Sequence, residues 1–451
     1  MSQSREPGPH GEEEVTGQVC QEDDLQDGQM REVAVADQKV LLVRIQGQFY
    51  AVGSQCSHYN APLIKGALVG DRVRCPFHGA CFSVKTGDIE EYPGLDCLPS
   101  YKVKVVDGNV YVSISKSLSK RVKEMCRMSP DIKQVVLLVG GGPASLVCAE
   151  TLRQNCFQGR IVILTKDTLA PFDKPKLSKA LNVDSGSILL RSADFYQQYG
   201  IEVRTQTEVV SVNSDDKVVK MSDGTVQQYD QLLISTGCRA RPLSCPGSHL
   251  RGVKLLQSYE DMLEEQNVKF YMSDEVTEIR GEDGKVKEVV LKGGAILEAD
   301  VVIAGIGVIP NSDFLAGSRV EVDSKKAVIV DKFMRTSVAG IFSAGDVTSF
   351  PLSIRDDQRV HIGHWQMSQA QGRVAALNML NKPTKIESVP FFWTVLLGKS
   401  IRYTGFSGVL YKVSIRDGVA VAAASLMFDP AVARIAELMA NGQMVTKAQA
   451  Q

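Results

Sequence analysis

Apolar and polar positions alternate with a period of two in Lys39–Arg44, Gln48–Val52, Tyr101–Val106 and Asn109–Ile114. That period turns successive side chains to opposite faces and predicts half-buried strands. Gln46-Gly47 and Asp107-Gly108 stand between the paired runs. Asp-Gly between two alternating stretches is a strong hairpin signal. Residues 16–115 therefore predict a small all-β domain. A polar, acidic, Pro/Gly-rich tail precedes it at 1–15 and is predicted to be disordered. A Ser- and Lys/Arg-rich linker follows at 116–133, its basic residues read as a solvated face.

The pattern then changes. Val135–Val139 is a continuous apolar run, followed by glycines, a helix to about Asn155 and a second strand at Ile161–Leu164. This predicts a βαβ unit. Ile201–Val212, Val218–Met221 and Val226–Tyr229 read as a meander turning at Asp223-Gly224. Leu232–Ile234 is a further buried strand, and Val268–Lys292 reads as short strands around Asp283-Gly284. A helix runs from His364 to about Leu380, and Val389 to about Gly442 forms a β-rich tail. The fold class is multidomain α/β plus all-β.

Composition narrows the picture. A chain of 451 residues, 44% hydrophobic, predicts two to four domains with sizeable cores. A formal net charge of −1 gives no nucleic-acid signature. No apolar run approaches the ~18 residues that mark a membrane span. No secretory signal is visible, and Glu12-Glu13-Glu14 with Asp23-Asp24 is opposite in character to a basic transit peptide. Ser2 after Met1 excludes N-myristoylation. A reducing compartment such as the cytoplasm is expected.

The strongest chemical signal is Cys56-Ser57-His58 followed by Cys75-Pro76-Phe77-His78. Each pair offers one thiolate and one imidazole. Two Cys on one iron and two His on the other make a Rieske [2Fe–2S] centre. Zinc also takes Cys2His2, but zinc fingers usually pair Cys with Cys and His with His. With Gly79, Phe82 and Thr86-Gly87-Asp88 behind it, the stretch resembles Rieske ferredoxin domains. Many high-potential members carry extra disulfide cysteines where this chain has Ala61 and Phe77, and often a serine at the place of Ala80. The resemblance thus implies the low end of the Rieske range, around −150 mV, and an electron relay.

Gly140-Gly141-Gly142-Pro143-Ala144-Ser145 follows the first strand of the βαβ unit. Gly140 suits the tight turn, Gly142 the approach of a pyrophosphate to backbone amides, and the helix start adds partial positive charge. Ser145 replaces the third glycine. Asp167, after the second strand, is placed to hold a ribose hydroxyl, or is a plain loop carboxylate.

Pro171–Lys179, Thr236-Gly237 and Ala344-Gly345-Asp346 resemble, in order, three segments of ferredoxin-reductase-like flavoproteins. That resemblance implies FAD. Lys174 would approach its phosphates, Lys179 its ring, and Asp346 its ribityl chain with Gly345 alongside. The helix opening at Trp365 would point at the pyrimidine edge, or Trp365 is a packing residue. Phe391-Phe392-Trp393 is read as core or domain interface. A Rieske domain fused to such a flavoprotein resembles the apoptosis-inducing factor-like proteins, which implies NAD(P)H oxidoreductase activity, a mitochondrial association and a link to cell death. The expected partner is a redox protein or a small electron acceptor. No catalytic acid, base or nucleophile is assigned.

One piece is missing. The family carries a second glycine-rich βαβ for NAD(P)H between Thr236-Gly237 and Val301–Gly307, but only residues 238–300 lie there. A βαβ alone takes about 30 residues. Cys238–Asn267 has no Gly-x-Gly, only a Pro-rich loop and a short helix near Tyr259–Glu265. The predicted layout is an FAD domain in two parts, 134–259 and 301–383, a truncated NAD region at 260–300 and a C-terminal domain at 384–451. NAD(P)H use is doubtful. No Cys-x-x-Cys lies beside the flavin motifs, and Cys148 and Cys156 are read as buried small residues.

Overall fold

The computed structural model describes residues 14–115, 120–177, 184–255, 271, 273–396, 399–407, 413–416, 418–446 and 449. The N-terminal domain is two antiparallel sheets. The six-stranded sheet begins with Glu14–Gln21, which pairs with Asn109–Ser115. The predicted hairpins appear as Gln38–Ile45 with Gln48–Gly53 and Ser100–Val106 with Asn109–Ser115. The four-stranded sheet, Ala67–Val69, Arg72–Arg74, Cys81–Ser83 and Ile89–Glu91, carries the ligand loops. The first strand starts inside the stretch expected as tail, because its backbone completes the sheet edge and Glu14 pairs with Lys102.

The linker differs from expectation. Arg121 exchanges backbone hydrogen bonds with Cys97, Cys126 N–H donates to Arg153 O, and Met125 is buried. Arg121 and Lys123 both pair with Asp88. The basic residues are thus spent on the N-terminal domain as well as on water.

The middle of the chain is a parallel five-stranded sheet. Val135–Val139 lies between Arg160–Leu164 and Gln231–Ile234, with Ile201–Arg204 and Ile341–Ser343 at the edges. Helices Pro143–Gln154 and Trp365–Met379 pack on it. Gly372 lets them touch: a Cβ there would stand 2.2 Å from Ala144 O. The meander is Val209–Asn213, Val218–Met221 and Val226–Gln228. Cys148 is fully buried on the first helix, but Cys156 is exposed in a left-handed turn after that helix, contrary to expectation.

From 238 to 310 the described residues make small sheets. Val253–Leu255 and Val302–Ala304 form one parallel pair, Val276–Glu282, Lys285–Leu291 and Ile296–Glu298 a three-stranded meander, and Cys238–Ala240 pairs with Val308–Pro310. Val301, Ile303, Ile306 and Val308 are exposed. The helix expected near Tyr259–Glu265 lies outside the described residues.

The C-terminal domain is a four-stranded antiparallel sheet plus helix Asp429–Ala440. The β-rich reading missed this helix, whose first turn holds Asp429 and Pro430 and whose apolar face meets Ala67 and Phe391.

Candidate functional site

Two turns of the same design hold the predicted ligands. Cys56 N–H donates to Ala61 O (2.8 Å) and Asn60 N–H returns to Cys56 O (2.9 Å). Cys75 N–H donates to Ala80 O (2.7 Å) and Gly79 N–H returns to Cys75 O (3.1 Å). The fifth residue of each turn is left-handed, Asn60 and Gly79, residue types that tolerate that conformation. Backbone amides of His58 and Tyr59 point at the Cys56 sulfur, and those of Phe77 and His78 at the Cys75 sulfur. Such donors stabilise thiolates.

The four side chains come together two and two. The hydrogen bond between the Cys56 and Cys75 thiols pushes Cys56 up and Cys75 down. The His58 and His78 rings lie 5.0 Å apart. Burial, helped by Lys120 and Lys176, pushes His58 down to about 4, so its imidazole is neutral, the form that ligates. His58 Nδ1 is buried with no hydrogen-bond partner. These observations fit a two-iron Cys2His2 cluster.

The flavin motifs converge, with Gly140 against Ser235, Gly345 against Ala144 and Asp346 O against Cys238 Sγ. At Gly140 (φ +124°) a Cβ would lie 2.1 Å from Ser235 O. At Gly142, the N-cap of helix Pro143–Gln154, a Cβ would meet open space, and a helix N-terminus with room beside it suits a pyrophosphate. Pro143 and Ala144 open the helix. Ser145, in place of the third glycine, is buried and satisfied by a 2.6 Å bond to Ser235. Asp167 lies at the end of the second strand, its amide bonded to Thr165 Oγ1. Gly237 has open space beside it, and Asn311 clasps Thr236 through both its backbone and its side chain. Asn311 carried no sequence signal.

Asp346 accepts from Ser368 Oγ (3.0 Å) and from the His364 amide. Burial lifts its carboxyl above the usual range, although Ser368, His361, Lys174 and His364 oppose the shift. Gly345 N–H is held by Gln371 (2.7 Å). Lys174 is exposed above Phe172, within electrostatic reach of Asp346. Lys179 lies outside the described residues. Trp365 is the first residue of its helix and is partly exposed. Open space at Gly142 and Gly237, and the buried Asp346 carboxylate, fit an FAD.

The two sites face each other. Tyr59 stacks on His58 at 4.1 Å, and its hydroxyl donates to Asp173 of the proline-rich segment (2.9 Å). Gln369, on the helix behind Trp365, donates to Gly94 O (2.9 Å). Arg191 joins Asp96 of the N-terminal domain to Glu150 of the first helix. His78 meets Trp393 at 4.9 Å, and Trp393 meets His364 at 4.8 Å. His364 is itself buried enough to be pushed down to about 4, hence neutral.

The C-terminal domain completes the seat. Arg402 donates to Pro76 O. A Cβ on Gly79 would stand 2.6 Å from the Phe391 ring. Arg74, fully buried, pairs with the equally buried Glu437 (2.6 Å) and donates to Gly79 O. Sequence reading missed Arg74, Arg402, Glu437 and His364, since their partners lie far away along the chain.

The comparisons agree with this geometry. The Rieske [2Fe-2S] domain matches residues 16–102, and the pyridine nucleotide-disulphide oxidoreductase family matches 134–262 and 254–372. Human apoptosis-inducing factor 3 is 39% identical, covering 98% of this chain and 86% of its own length. Rubredoxin-NAD(+) reductase from Pseudomonas putida is 28% identical over 60% of this chain and 86% of its own. The solved covalent putidaredoxin reductase–putidaredoxin complex shares the fold, with TM-score 0.63 and 21% identity over 71% of this chain and 96% of the matched one. Among the described residues no helix is long and apolar enough to cross a membrane. The chain belongs to the pyridine nucleotide-disulphide oxidoreductase family, as a Rieske-bearing flavoprotein oxidoreductase of the apoptosis-inducing factor type that transfers electrons between flavin and cluster.

Proposed function

We propose that this chain is a reductase module with its own electron-transfer partner built in, and that it uses NAD(P)H poorly. The carrying observation is the contact series His78–Trp393–His364, which joins a cluster ligand to the residue capping the Trp365 helix. When bound, FAD accepts two electrons and releases them singly, and a [2Fe–2S] cluster carries one. The chain's residues do the rest. Cys56, His58, Cys75 and His78 would hold the cluster. Gly140, Gly142, Pro143, Ala144, Ser145, Asp167, Lys174, Thr236, Gly237, Gly345, Asp346 and Trp365 would line the flavin site. Arg191, Tyr59 and Gln369 keep the two sites facing. The Trp365–Met379 helix directs its positive end at the cleft, which favours negative charge there.

Several observations support poor nucleotide use. The alignment to the human relative spans 523 positions, more than the 451 residues of this chain, so the relative carries internal residues this chain does not. The family match breaks at 254–262. Among the described residues, 238–310 offers one short parallel pair and no glycine turn at a helix start. The exposed Val301, Ile303, Ile306 and Val308 are the surface expected where packing has been lost. The same remnant favours a second reading, a redox-sensing or cell-death signalling protein that keeps its cofactors without turnover. The electron acceptor is a redox protein or a small molecule. Anaerobic stopped-flow mixing with NADH tests the proposal. Slow or absent flavin bleaching at millimolar NADH is expected, and bleaching within a second that saturates at micromolar NADH contradicts it.

A further inference from the structure

We propose that the C-terminal domain sets the reduction potential of the cluster through a buried ion pair, Arg402 in contact with the second ligand loop and Asp429 in contact with Arg402. The inference rests on the Rieske reading of that loop. Arg402 is 5% exposed and Asp429 14%. The guanidinium is fixed on all sides. Nε donates to Pro76 O (3.3 Å), Nη1 to Thr394 O (3.2 Å) and Ile401 O (3.0 Å), and Nη2 meets Asp429 Oδ2 (3.1 Å). Pro76 is the residue directly after the ligand Cys75. The cation therefore touches the ligand loop directly through Nε, while the carboxylate meets the neighbouring Nη2 and is held by Ser400 Oγ (2.8 Å).

Hydrogen bonds and net charge near an iron–sulfur centre set its potential. A cation close to the cluster stabilises the added electron, and the anion paired with it opposes that effect. Burial keeps salt from screening either one. A second pair repeats the design. Arg74 Nη1 donates to Gly79 O (2.9 Å), and Glu437, which it shares as counter-ion with Arg72 (3.0 Å), is on the same C-terminal helix as Asp429, eight residues on. That spacing puts both carboxylates on one helix face. The helix thus supplies the carboxylates that balance the arginines gripping the loop Cys75–Ala80. The low potential expected from Ala61, Phe77 and Ala80 is raised by Arg402 and restrained by Asp429.

Redox titration of the full-length holoprotein, read by electron paramagnetic resonance of the reduced cluster, tests this. Arg402→Met should lower the potential and Asp429→Asn should raise it. Each should change the oxidised-to-reduced ratio at fixed ambient potential by roughly tenfold, about 59 mV for one electron. Arg402→Lys should stay near the parent, and the double variant should return toward it. A merely structural pair would loosen in both single variants and shift both potentials the same way. Shifts of one sign, or none, overturn the inference while leaving a Rieske spectrum intact. Absence of any Rieske signal in the parent overturns the functional reading itself. If Arg402→Met does not fold, Asp429→Asn, nearly isosteric, carries the test alone.

Discussion

The second ligand loop and the described residues of the segment 238–310, proposed above as a nucleotide-half remnant, are built in opposite ways. Cys75–Ala80 is held from three sides, by its own turn, by Arg74 with Glu437, and by Arg402, Phe391 and Trp393 of the C-terminal domain. The segment from 238 to 310 exposes Val301, Ile303, Ile306 and Val308, and its parallel pairing is three residues long. The contrast shows where this molecule retains its chemistry: in the seat of the Rieske head and in the flavin cleft it faces.

Substitutions in the two regions should therefore differ steeply. Cys75→Ser should abolish the low-average-g paramagnetic resonance signal of the cluster while flavin absorbance persists. Stoichiometric zinc without iron in the parent protein would break the comparison at its root. Gly79→Ala forces a Cβ into the Phe391 ring and a left-handed alanine. It should cost about 2–4 kcal/mol by denaturant unfolding, the sum of overpacking and backbone strain. Asp346→Ala removes the carboxylate assigned to the ribityl chain. Flavin retained after dialysis should fall by about 1.5–3 kcal/mol of binding free energy, and unchanged occupancy would contradict that assignment. Val301→Ser, on the remnant, should move the unfolding midpoint by only about 0.5 kcal/mol or less, the range of ordinary surface changes. A loss as large as that of Gly79→Ala would mean that Val301 is covered.

The ligand set was legible because its chemistry is local: a Cys and a His share one tight turn, and two such turns repeat. The candidate flavin site could be proposed from sequence because Gly140, Gly142 and Asp346 follow strands of one parallel sheet, which gathers them. The seat of the Rieske head was not. Arg74 and Glu437 are separated by 363 residues, and Arg402 and Pro76 by 326; a lone Arg or Glu in sequence carries no sign of its partner. Gly372 hid for the same reason, since its need for a missing Cβ arises only when Ala144 packs on it. The C-terminal helix was hidden by the β-pattern around it, although the run Asp429–Ala440 has a helical apolar face.

The central claim is that flavin and cluster exchange electrons within one chain. Anaerobic photoreduction of the flavin, without added nucleotide or carrier, followed by time-resolved absorbance of the cluster, tests it most directly. A single first-order reduction of the cluster, with a rate constant unchanged across a wide range of protein concentration, is predicted. A rate that rises in proportion to protein concentration, or a cluster that stays oxidised beside reduced flavin, would contradict it.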